Sequence, residues 1–207
     1  MDLTFNPQKS DNEMKMLVVQ NTLRMLKERK WLTDKEISKG VDEFKDNINL
    51  QNLLLDNLSL KQKNKISIHF VTNKLFFKKL IYTDNIDLDD EKDHVIIILT
   101  DKTKQLKIDK KLNRMNNVEI WIDRELYINY AEHILIPKHR LLSDEEKNKF
   151  LKEFKLNSIK MKLIDVKDMM ARYLNAKLDD VIEILRPNEM SGIHYAWRLV
   201  RKKPKKR

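Results

Sequence analysis

The sequence predicts two folded parts, an α/β domain followed by a smaller α+β module. Three observations carry this. Apolar residues recur at helical spacing in the first third and again after residue 143, each run opened by Ser or Thr with Glu three residues on. Short β-branched runs occupy the middle and the end of the chain. The composition then changes near residue 130, where Ile134-Leu135-Ile136 runs into Pro137, through which no helix should pass.

Ser10-Asp11-Asn12-Glu13 has capping-box spacing and predicts a helix start. Met16, Val19, Leu23 and Leu26 give that helix one apolar face. Thr33-Asp34-Lys35-Glu36 repeats the signal and opens a shorter helix with Ile37, Val41 and Phe44 on one side. The leucine-rich stretch 47–60 reads as irregular chain or short helix. Ile66, Ile68 and Phe70 alternate with Ser67 and His69, the period of a half-buried strand. Residues 75–82 suit another strand, and 84–93 an acidic turn or short helix. Val95-Ile96-Ile97-Ile98-Leu99 is continuous and β-branched, as a central strand buried on both faces would be. A polar helical segment over 102–115 leads to a strand at Val118-Glu119-Ile120-Trp121-Ile122. Strand, helix, strand is a βαβ unit, so these two strands should be parallel with a right-handed crossover.

In the second part, Ser143-Asp144-Glu145-Glu146 is a third capping box, and its helix should turn Phe150, Leu151 and Phe154 inward. A short helix is expected over 168–174. Strands are expected over 181–185 and 195–200, with the turn-compatible residues 186–192 between them. The predicted domains are 1–133 and 134–200, followed by a basic tail, 201–207.

The chain has 207 residues, 41% hydrophobic and 36% charged, with a net charge of +10. A basic balance favours an acidic partner, and nucleic acid is the usual one. With no cysteine, disulfides, zinc ribbons and cysteine nucleophiles are excluded. The two glycines, Gly40 and Gly192, cannot build a Walker loop, a dinucleotide fingerprint or a nucleophile elbow. The first residues lack the basic start and apolar core of a secretory signal, and no apolar run has membrane-spanning length.

Four motifs in the second part resemble one family. Ile136-Pro137-Lys138-His139-Arg140-Leu141-Leu142-Ser143-Asp144-Glu145-Glu146-Lys147 resembles its "(L/V)-P-x-H-x-x-L-(S/T)-x-E-E-K" opening. Ala171-Arg172-Tyr173 is similar to its "A-R-Y" element, and Ile182-Glu183-Ile184-Leu185-Arg186-Pro187-Asn188-Glu189 to its "V-K-I-I-R-P-S-E" strand and turn. Tyr195-Ala196-Trp197-Arg198-Leu199-Val200 is similar to its closing "Y-x-x-R-L-V". The family is the fifth subunit of eukaryotic DNA-directed RNA polymerases together with its archaeal counterpart. Leu26-Lys27-Glu28-Arg29, Trp31-Leu32 and Glu43-Phe44 are similar to its first two helices. Met169 stands where the family has proline, and Asn175 and Asp179 replace two glycines. Both Asn and Asp tolerate the left-handed backbone that glycine would adopt.

The resemblance implies an N-terminal jaw domain beside downstream duplex DNA and a C-terminal assembly domain docked on the largest polymerase subunit. The implied interface residues are Pro137, His139, Leu142, Arg172, Tyr173, Arg186, Pro187, Glu189, Tyr195 and Arg198. Bidentate guanidinium suits Arg172, Arg186 and Arg198 to carboxylate partners. Lys102, Thr103, Lys104, Lys110 and Lys111 are the DNA-proximal candidates, for electrostatic, sequence-independent contact. The resemblance implies no catalytic residue, metal or cofactor, so the chain would not be an enzyme by itself. Its excess of Lys, Asn and Ile suggests an AT-rich genome, and large DNA viruses encode such subunits. The expected location is therefore intracellular: the nucleus for a cellular eukaryote, or a virion or cytoplasmic factory for a virus. The basic tail matches a nuclear-localisation pattern and equally a disordered arm holding nucleic acid. Two rivals stand beside this reading. One is a free-standing basic DNA-binding module. The other is a metal-dependent nuclease using Asp101 and Glu119, which lacks its lysine because Trp121 stands in that place.

Overall fold

The structure is a computed structural model of the chain and describes residues 10–46, 52–57, 64–71, 94–100, 117–154, 161–188 and 192–202. The chain divides into two compact units, 1–128 and 129–207.

In the first unit, α1 (Asp11–Glu28) starts at the expected capping box. The Glu13 N–H donates to the Ser10 hydroxyl at 3.3 Å, and the Ser10 N–H donates back to the Glu13 carboxylate at 2.7 Å. Its buried face carries Val18, Val19, Leu23, Met25 and Leu26. Lys30 ends the helix at φ 62°, with the Trp31 N–H returning to the Leu26 carbonyl at 2.9 Å. In α2 (Asp34–Asp46), the Glu36 carboxylate accepts from the Thr33 N–H at 2.8 Å. Phe44 is buried. The sheet after these helices has the order β1-β2-β3-β4, with β1 (Asn52–Asn57), β2 (Asn64–Val71), β3 (His94–Leu99) and β4 (Val118–Ile122). The first pair is antiparallel, and β2/β3 and β3/β4 are parallel. Every residue of β3 is buried, as its unbroken apolar run requires of a central strand. The leucine stretch expected to be irregular or helical instead forms β1. Ladder pairing with β2 gives its backbone groups partners, and that tertiary gain outweighs leucine's intrinsic helix propensity. The predicted elements at 75–82, 84–93 and 102–115 lie outside the described residues.

In the second unit the strands β5 (Lys138–Leu141), β6 (Leu163–Asp165), β7 (Val181–Asn188) and β8 (Gly192–Arg201) form a sheet of order β5-β7-β8-β6. Only β6/β8 is parallel. Residues opposite each other share a face, so the pairing register sorts the side chains into two sets. Val181, Leu199 and Trp197 lie on one face and pack with Leu142, Phe150 and Met161 under α3 (Asp144–Glu153). Ile182, Ile184 and Val200 lie on the other, with Ala171 and Ala176 of the segment around α4 (Met169–Tyr173). Each face is thus covered by one helix.

Three expectations need correction here. Phe154 caps α3 at 51% exposure rather than facing inward, although its ring still touches Phe150 and Trp197. Residues 186–188 continue β7 instead of turning. Pro187 is accommodated because its nitrogen points away from β8, on a side that β5 reaches only as far as Leu185. The division between units falls at 128/129, not 133/134. Asn129 belongs with the second unit: it accepts from the Ala131 N–H at 3.2 Å and from the buried Tyr173 hydroxyl at 3.0 Å. Asn175 and Asp179 do adopt left-handed backbone, at φ 53° and 72°.

Candidate partner-docking surface

The hairpin of β7 and β8 projects past both neighbours, since β5 pairs only with 182–185 and β6 only with 199–201. On the face that α4 covers nearer the other end, this projecting part carries Arg186 opposite His194. Arg198 lies further along β8, opposite Ile182. His139 lies on the same face, because it pairs with Ile184, which pairs with Ala196. Three of the four motifs thus contribute a cationic or imidazole side chain to one surface. Arg186 and His194 are exposed and Arg198 is half-buried. One Arg198 nitrogen donates to the Leu163 carbonyl at 3.3 Å.

His139 is built into this surface differently. Its Nδ1 lies 2.6 Å from the Pro137 carbonyl oxygen. A carbonyl only accepts, so Nδ1 carries the hydrogen and Nε2 is the acceptor of the neutral ring. Burial pushes the imidazole pKa below its ordinary value. The Pro137 hydrogen bond and Asp168 oppose this, and the charges of Arg186 and Arg198 add to it. The surface therefore presents fixed guanidinium charges beside a neutral ring, a setting suited to carboxylate recognition.

Other expected interface residues fall elsewhere. Leu142 and Tyr173 are core residues, at 8% and 2% exposure, so neither side chain is presented to a partner. Leu142 packs under α3, and Tyr173 bonds to Asn129. Tyr195 is exposed on the opposite face, its ring 6.2 Å from that of Trp197. Pro137 and Arg172 are half-buried and Pro187 is exposed. Glu189 lies outside the described residues, as do Lys102, Thr103, Lys104, Lys110 and Lys111.

The first unit holds a polar cluster that motif reading missed. Arg29 grips Glu119 with both ends of its guanidinium, at 2.6 and 2.8 Å. His94 Nε2 lies 2.6 Å from the same carboxylate, and Trp121 Nε1 donates to it at 3.0 Å. Burial alone would raise the Glu119 pKa. The Arg29 charge and the hydrogen bonds from His94 and Arg29 outweigh burial and hold it well below the usual carboxylate range. Trp31 completes the cluster, edge-on to His94 at 4.7 Å and beneath the Arg29 guanidinium at 4.9 Å. An ionised carboxylate has about four acceptor positions, and all are taken here. Glu119 therefore has no lone pair left for a magnesium ion, which removes the residue the nuclease reading requires. A signal was present in the sequence: a glutamate inside an apolar strand has to find cations or donors.

Residues 128–200 match the family of the RNA polymerase Rpb5 C-terminal domain. The Thermococcus kodakarensis protein named DNA-directed RNA polymerase subunit Rpo5 is 40% identical over 72 residues, which are 35% of this chain and 88% of the archaeal one. The Caenorhabditis elegans protein named DNA-directed RNA polymerases I, II, and III subunit RPABC1 is 35% identical over 83 residues, 40% of this chain and 39% of the nematode one. Its Dictyostelium discoideum namesake is 32% identical over 101 residues, 49% of this chain and 51% of that protein. The chain thus spans between two fifths and about half the length of these eukaryotic relatives.

Proposed function

The chain belongs to the family of RNA polymerase fifth subunits, the Rpo5 and RPABC1 proteins, and on that premise we propose that it is a non-catalytic, architectural subunit of a multisubunit DNA-directed RNA polymerase. Residues 129–207 are the assembly domain and dock on the largest subunit. The observation that carries this is the gathering of His139 from β5, Arg186 from β7 and Arg198 from β8, far apart in sequence, on one face of the sheet. Residues 1–128 form part of the lower jaw near downstream duplex DNA. There Lys102, Lys104, Lys110 and Lys111 meet phosphate without reading sequence, and such contact weakens steeply with salt.

The test is to tag the protein in its own source, purify it at moderate salt and identify stoichiometric companions by mass spectrometry. The expected result is recovery of the two largest polymerase subunits. Recovery of the protein alone, or with nucleic acid only, would overturn the reading and leave a free-standing basic DNA-binding module in its place.

A further inference from the structure

Among the described residues, the outer edge of β8 is uncovered over most of its length. β6 flanks only its C-terminal end, pairing Leu163 with Leu199 and Asp165 with Arg201. Among the described residues no strand flanks 192–198 on that side. Hydrogen bonds at the covered end fix which groups point outward. The Leu199 N–H donates to the Lys162 carbonyl at 2.9 Å, and the Arg201 carbonyl accepts from the Val166 N–H at 3.0 Å. The Val200 N–H turns the other way, to the Asp180 carbonyl at 2.9 Å. Strand groups alternate sides residue by residue, so the N–H and C=O of Ile193, Tyr195 and Trp197 point to the open edge.

The side chains along this edge alternate in chemistry as well. Ile193, Tyr195 and Trp197 lie on one face, with Ile193 58% and Tyr195 46% exposed. His194 and Arg198 lie on the other, beside Arg186. Natural edge strands are usually blunted by charge, proline or a bulge, and none of these occupies the outward-bonding positions here.

We propose that this edge accepts an extended strand of the polymerase subunit on which the assembly domain docks, with apolar side chains at alternate positions and carboxylates between them. Successive side chains of an added strand fall on opposite faces. Those beside Ile193, Tyr195 and Trp197 meet an apolar stripe. Those beside His194 and Arg198 meet an imidazole and a guanidinium, and a carboxylate makes charge-assisted hydrogen bonds with the guanidinium. The sequence of residues 155–160 contains no carboxylate. The proposal rests on the docking reading and deepens it from a surface to a mode of pairing.

The test uses the full chain, wild type, Tyr195→Pro and Tyr195→Ala, each tagged and expressed in the source. The Tyr195 N–H does not face β7, so proline there blocks an incoming strand while sparing the hairpin. The midpoint of thermal unfolding should stay within a few degrees of wild type. Polymerase recovery should fall at least tenfold for Tyr195→Pro and clearly less for Tyr195→Ala. Equal losses in the two variants would mean that the side chain, not the edge, is read, and would overturn strand addition. Wild-type recovery of polymerase with undiminished recovery by Tyr195→Pro would do the same while leaving the docking reading intact. Should proline unfold the protein, amide exchange of the wild-type chain decides. The amides of 193, 195 and 197 should exchange fast in the free chain and at least tenfold slower in the purified polymerase. Equal protection in both states would mean the edge is already covered within the chain, and no change on assembly would mean it is never covered; either result sinks the proposal. Failure of wild-type protein to recover any polymerase would bring down the docking reading and this one with it.

Discussion

Arginine and histidine gather in both units, and the two gatherings are used in opposite ways. Around Glu119 the cluster is closed. Arg29 has a side chain only 2% exposed, and its guanidinium, His94 and Trp121 fill the acceptor positions of the carboxylate. Around His139 it is open. Arg186 is exposed, and among the described residues neither it nor Arg198 is ion-paired to a carboxylate. A closed polar cluster fixes which elements meet, because removing one member strands a buried charge. An open one keeps bonding capacity for something outside the chain. The same residue types therefore report on fold in one place and on recognition in the other, and burial with satisfaction tells them apart.

The largest expected effect breaks the closed cluster. Arg29→Ala leaves the Glu119 carboxylate buried beside His94 and should cost about 3–5 kcal/mol of stability, read from urea unfolding. Acid should act on the same group. The folded-state pKa of Glu119 is depressed, so its contribution is full above the unfolded carboxylate value of about 4.3 and is lost as pH falls below it. An Arg29→Ala midpoint equal to wild type would remove the distinction drawn between the clusters.

The open cluster should respond in the reverse sense. Arg186→Ala should shift unfolding by no more than about 0.5 kcal/mol, as exposed substitutions do. Its incorporation into polymerase should weaken by about 2–5 kcal/mol if the guanidinium meets a carboxylate there. Competition between tagged wild type and variant for assembly measures this directly. Normal incorporation would show that Arg186 is solvated surface and that the open cluster is not the recognition element.

His139 sits between these extremes, half-buried and, among the described residues, bonded only to backbone. Its pKa is lowered in the folded protein, so the unfolded chain takes up the proton first as pH falls. Stability should then decline as pH drops through the unfolded value of about 6.5, continuing until the folded ring also protonates. His139→Asn keeps an N–H for the Pro137 carbonyl and does not titrate. Its unfolding midpoint should be flatter than wild type as pH falls below about 6.5. Parallel curves would place the titration on another group.

Much of this architecture is legible in the sequence, and the illegible parts have physical causes. Capping boxes are local chemistry, and those at Ser10 and Ser143 start α1 and α3 as expected. The run 95–99 announces a doubly buried strand because no polar residue interrupts it. β1 is misread because leucine is at home in either structure, and only its partner β2 decides. β5 and β6, four and three residues long, are too short for any period to show and exist through pairing with β7 and β8. Of the candidate surface, His139, Arg186 and Arg198 are singled out by motif, while Leu142 and Tyr173 carry the same motif signal for reasons of packing. The cluster of Arg29 and His94 around Glu119 escapes because Arg29 meets Glu119 across 90 residues.

The smallest effects concern backbone, and they also separate the units. Lys30, Asn175 and Asp179 all hold positive φ. A left-handed conformation costs an ordinary L-residue about 1–2 kcal/mol, and Asn and Asp less. Part of any gain from glycine is returned through the greater freedom of the unfolded chain. Lys30→Gly should therefore stabilise the first unit by about 0.5–1 kcal/mol. Asn175→Gly should gain less, because its carboxamide suits the conformation and accepts from Lys177 Nζ at 2.8 Å. Asp179→Gly should gain least, since it also gives up the 2.7 Å ion pair with Arg201. Unfolding midpoints of the three variants measure the order. A gain at Asp179 equal to that at Lys30 would mean that aspartate is no better suited than lysine to the left-handed turn in which the family keeps glycine.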